Sequence, residues 1–118
     1  MDSHSVIIND VKRLLSIDSD TSEYDLDIIS HVNSAFFTLF SLGIGPSTPF
    51  SVDSSTTWDE FPSSVPSNVL LDYIHLKVAL VFDQPSSSAV IDAYKDRIAE
   101  LEFRMNILVD NGGGYVTG

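Results

Sequence analysis

The chain contains no cysteine. That absence excludes a disulfide framework, a thiolate metal site and a cysteine nucleophile, and it leaves the redox compartment undetermined. Positive charge is scarce as well: six Lys and Arg stand against 17 Asp and Glu, a formal charge of -11. The field of such a chain repels phosphate backbones and anionic lipid, which disfavours nucleic-acid binding. No apolar run is long enough to span a bilayer. The N-terminal segment, with Asp2, His4, Asn9 and Asp10, also lacks the basic start and apolar stretch of a secretory signal. A protein in solution is expected, with no membrane contact.

What is present is an ordinary 43% hydrophobic content over 118 residues. That suffices for one domain with its own core and does not match the low hydrophobicity of disordered chains. From Ser5, the residues Ile7, Val11, Leu14 and Leu15 recur at steps of three and four, while Asp10, Lys12 and Arg13 project elsewhere. This pattern predicts a short amphipathic helix. The run SIDSDTSEYD interrupts it, and its Ser, Asp and Thr side chains suit the unpaired N–H groups that open the next helix. Asp25 and Asp27 also suit that helix's positive end.

The second helix is expected from about Ser22 to Leu42, with Leu26, Ile29, Val32, Phe36 and Phe40 on one stripe and Ile28, Ala35 and Leu39 on a neighbouring one. So wide an apolar surface predicts contact with more than one element. Gly43 and then Gly45-Pro46 end it. A polar loop rich in Ser, Thr and Pro follows to Pro66 and carries the single tryptophan, Trp58. Loops beyond about 12 to 15 residues are uncommon in compact domains unless they bind something or are disordered. Thr57 and Glu60 have capping-box spacing, so one helical turn is expected near Trp58. Phe50, Trp58 and Phe61 are expected to pin the loop down.

A third helix, about Ser67 to Asp83, is apolar nearly all round and reads as the central one. Gln84-Pro85 ends it, and Ser86 to Ser88 supply caps for a fourth helix built on Ile91, Tyr94, Ile98, Leu101, Met105 and Leu108. Asp92, Lys95, Asp96, Glu100 and Arg104 fall on its wet side. The fold class is therefore all-α: a small bundle of about four helices, a long polar loop between the second and third, and a flexible C-terminal tail. The domain division is 1–108 for the helical domain and 109–118 for the Gly-rich tail, where three consecutive glycines carry a large entropy of ordering.

No group of residues assembles a recognisable chemistry. His4, His31 and His75 form no cluster with metal-ligand spacing and read as satisfied or surface histidines. A calcium loop starting at Asp18 would need Gly at its sixth position and Glu at its twelfth, where Glu23 and Ile29 stand. Gly43-Ile44-Gly45-Pro46 follows no strand and reads as a helix stop, not a dinucleotide fingerprint. Neither a nucleophile elbow nor a P-loop nor an H-E-x-x-H is present. No catalytic, cofactor or metal residue is assigned, and no enzyme is expected. Trp58 has two readings, a core plug that anchors the loop and a member of an interface, where tryptophan is enriched.

The segments VKRLLSIDSDTSEYDLDIISHVNSAF, YIHLKVALVFDQP and IDAYKDRIAELEFRM, in that order around a polar loop, resemble the head-tail connector (adaptor) family of long-tailed bacteriophages. The resemblance spans most of Val11 to Met105. It implies a structural virion protein in the neck, between capsid and tail, made in the host cytoplasm. Its copies would form a dodecameric ring beneath the portal protein, extend the DNA channel without binding DNA specifically, and dock a further connector or tail completion protein. Parts that assemble only on a template are commonly monomeric when isolated. The residues expected at assembly contacts are Trp58, Phe61, Arg97, Arg104 and Tyr115. A reading from another class, a small helical regulator such as a transcription factor or antitoxin-like binding module, would need a basic recognition helix, and the most charged helix here is mixed in sign.

Overall fold

The structure, a computed structural model, describes residues 4–112, and side chains as far as residue 109. Four α-helices follow one another: α1 (Ile7–Leu14), α2 (Asp25–Ser41), α3 (Ser67–Phe82) and α4 (Ser88–Gly112), with a 3-10 turn at Trp58–Glu60 inside the long loop. The expected all-α bundle is what forms. α3 is the centre, packing against each of the other three helices. Its own sequence accounts for this, because Leu70, Leu71, Tyr73, Ile74, Leu76, Val78 and Ala79 bury side chains in several directions.

The helix ends follow local chemistry. α2 closes with Gly43 at φ 78°, where the Gly43 N–H donates to the Phe40 carbonyl and the Ile44 N–H to the Leu39 carbonyl. That is a Schellman motif, with buried Ile44 and Leu39 supplying its apolar contact. α1 closes with the same pair of bonds, from Ser16 to Arg13 and from Ile17 to Lys12, but Ser16 takes the left-handed conformation at φ 62°. α4 opens with the Ser87 hydroxyl accepting from the Val90 N–H, as the serine run predicts.

One expectation fails at the start of α2. The helix begins at Asp25, and no side chain of the acidic run caps it. Those side chains stay largely in solvent, because the segment is held from below by Lys12 through two of its carbonyls. α1 likewise departs from its predicted polarity: Asp10 and Lys12, expected on the wet side, are 5% and 1% exposed.

Candidate interaction surface

The long loop is built onto α1 through one carboxylate. Trp58 Nε1 donates to Asp10 Oδ2 at 2.8 Å, and the Ser5 hydroxyl donates to the same oxygen at 2.8 Å. Arg13 approaches the other carboxylate oxygen at 3.5 Å. A two-residue antiparallel bridge joins Val6 to Thr57, with the Ile7 N–H on the Thr56 carbonyl and the Trp58 N–H on the Ser5 carbonyl. The capping box at Thr57 and Glu60 is formed, closing the 3-10 turn that aims the indole inward.

Two further anchors hold the loop's first half. Asn33 uses both ends of its amide on Val52, donating to its carbonyl at 3.3 Å and accepting from its N–H at 2.6 Å, so a helix side chain replaces a missing strand partner. Phe36, Phe50 and Phe61 form a three-ring cluster with centroids 4.9 to 5.0 Å apart. Gly45, at φ 97°, lies against the Phe61 ring, where an added Cβ would collide with it. Asp53 closes a local turn with Ser55 and Thr56, and those hydrogen bonds, the Ser55 backbone first, hold its carboxyl below the usual range.

The acidic run is organised by the buried Lys12. Its Nζ donates to the Ser19 carbonyl at 3.2 Å, to the Thr21 carbonyl at 2.6 Å and to Asp25 Oδ1 at 2.8 Å, using all three ammonium protons. On α3, burial pushes the Tyr73 phenol well above its ordinary value, and its O–H donates to Glu102 of α4 at 2.7 Å. Burial also lowers the His75 imidazole, against the smaller opposing effects of Asp72 and a backbone hydrogen bond with Leu14.

The five residues expected at contacts fall in different places. Trp58 is 2% exposed and Phe61 is also buried, so both act within the core and shape the loop without presenting a side chain. Arg97 and Arg104 are exposed. They line a shallow groove with Val69, Leu101, Ile107 and Leu108, where Arg97 pairs with Asp72 at 3.1 Å and with Glu100, and Arg104 lies 3.8 Å from Glu100. Tyr115 and the tail beyond Gly112 lie outside the described residues. The structure turns Leu26, expected on the same stripe as buried Val32 and Phe36, to the outer face of α2 with Phe37, and adds Phe103 and Ile107 on the outer face of α4, which the sequence reading did not single out. Leu26 is 83% and Phe103 67% exposed. The signal was available in the width of the α2 stripe, since a single core cannot absorb apolar residues on opposite sides of one helix.

The protein these features define is a small helical one whose buried polar groups brace loops and whose apolar excess faces outward, most of all at Leu26, Phe103 and Val81. Among the described residues no helix is long and apolar enough to cross a membrane. A family model described as "Phage connector protein" matches residues 7–112, and the chain belongs to that family. No curated protein matches it, and no solved structure does. Membership makes the chain a phage connector and a component of the virion, and it argues for a structural role and against a catalytic one.

Proposed function

We propose that the chain assembles as a ring beneath the portal, lengthens the DNA channel and offers its far side to the next connector or tail component. The family match over 7–112 is the observation that carries this reading. The surfaces agree with it in kind. The outer faces of α2 and α4 each carry exposed apolar residues, and a ring member needs two distinct side faces that each meet a neighbour. Arg97 and Arg104, beside Ile107 and Leu108, give the α4 side a mixed apolar and charged character suited to subunit or portal contact. Tyr115, on the tail, is a further contact residue in this proposal. A net charge of -11 suits a channel wall that DNA must pass without adhering. The neck of the virion is then its working place, and the host cytoplasm the place of its assembly.

Electron microscopy of portal particles incubated with the purified chain tests the proposal. Ring density added to the portal is expected, and portals left bare contradict it.

A further inference from the structure

One groove follows α3, bordered by α2 and α4 in its first half and by α2 and the turn after α1 in its second, and the two halves carry opposite charge. The first half, about 390 Å³, is lined by Ala35, Leu80 and Ile98 together with Lys77 and Lys95. The second is lined by Tyr24 and Phe82 together with Asp27 and Asp83. His31 and Val81 line both halves and mark where they meet.

The cations of this chain make the groove unusual. Lys12, Arg13, Arg97 and Arg104 each have a carboxylate within 4.0 Å. Lys77 and Lys95 have none among the described residues, although 17 acids compete for six cations in the sequence. Lys77 reaches only the face of Tyr73, at 6.0 Å. Asp27 and Asp83 likewise have no cationic partner among the described residues. Unpaired charges of both signs thus share one groove, separated by an apolar centre at which Val81 is 63% exposed.

Opposite charges side by side on one face complement the same face of another copy after a half-turn, which is the pattern of an isologous contact. An apolar centre with a charged rim is also the common anatomy of protein interfaces. We propose that this groove pairs two copies of the chain about a two-fold axis near Val81, with Lys77 and Lys95 of each copy meeting Asp27 and Asp83 of the other. The pairing goes beyond the ring reading. A two-fold face closes at two chains, whereas ring contacts propagate from one copy to the next, so the pair belongs to the free protein and needs no portal.

Sedimentation of the isolated chain over a range of concentrations tests it. At about 0.15 M salt the screening length is about 8 Å, which damps the mutual repulsion of two acidic chains and spares contacting pairs. The expected result is a concentration-dependent shift from monomer to dimer. K77E/K95E and D27K/D83K should each remain monomeric, with helicity unchanged by circular dichroism. An equimolar mixture of the two variants should dimerise again, because a wholly acidic groove then faces a wholly basic one; that recovery also shows that neither variant failed by misfolding. A wild type that stays monomeric at every concentration, variants that each dimerise as well as wild type, or a mixture that stays monomeric would overturn the proposal. None of these results touches portal binding, which is read separately on portal particles.

Discussion

Asp10 holds more of the tertiary structure than its place on an eight-residue helix suggests, since one oxygen receives both the Trp58 indole and the Ser5 hydroxyl. Trp58→Phe keeps much of the aromatic volume but removes a donor from a buried carboxylate. The expected loss is about 1.5–3 kcal/mol, the usual net contribution of a hydrogen bond to a charged group, since the Ser5 hydroxyl still donates to the same oxygen. Denaturant unfolding should show a lower midpoint at unchanged slope, and an unchanged midpoint would mean that the indole bond contributes nothing. The sequence made Trp58 legible as an anchor and left its partner hidden. At about 100° per residue, Asp10 and Lys12 fall on the two edges of the Ile7, Ile8, Val11 and Leu15 stripe. Edge positions go either way, and here the loop and the acidic run cover them.

His75 gives stability a pH dependence whose sign follows from its burial. Its folded value is lowered from 6.5, so at pH values just below 6.5 the unfolded chain binds more protons than the folded one. Stability from this residue is therefore fully present above pH 6.5 and declines as pH falls from there through the folded value. Thermal melts of wild type and His75→Gln across pH 7.5 to about 5 should diverge, with the variant losing less. Parallel curves would contradict the assignment. The sequence left His75 as a satisfied or surface histidine within the third helix, because the extent of its burial depends on α1 packing across α3.

At the scale of elements, α1 and α2 end in the same motif with different residues. Gly43 accepts a positive φ without cost, whereas Ser16 does not. Ser16→Gly is expected to stabilise the fold by about 0.5–1 kcal/mol, and Gly43→Ala to destabilise it by a similar amount, since open space around Gly43 leaves backbone strain as the only penalty. Calorimetric melting of the two variants should shift in opposite directions; shifts of the same sign would contradict the account. Gly43 was legible as a stop because glycine is the common residue there. Ser16 was not, since nothing in its neighbours marks a left-handed serine. The long loop was readable as pinned, down to the Thr57–Glu60 capping box. Its bridge to Val6 and its Asn33 clamp were not, because both join residues far apart in sequence and end on loop backbone groups that every residue carries.

The whole molecule is flat, 50 × 34 × 22 Å, and its thin dimension is about two helix diameters. Two layers leave the outer faces of α2 and α4 without cover, which is why apolar residues such as Leu26 and Phe103 remain exposed. The family was legible from the order of helix caps and core runs, because those patterns define the bundle. Contact faces were less so, since assembly uses whatever the fold leaves outside. Arg97 and Arg104 belong to this scale: their ion pairs are exposed, screened by solvent and contribute little to folding. Arg97→Glu with Arg104→Glu should therefore leave the melting temperature within a few degrees of wild type while reducing assembly on the portal. A variant that melts early yet assembles normally would reverse that assignment.

The most direct measurement is the native mass of portal particles before and after incubation with the purified chain. Growth by one whole ring of chains, saturating at a fixed number of copies per portal, is the predicted result. A portal mass that stays constant at saturating chain would contradict the account.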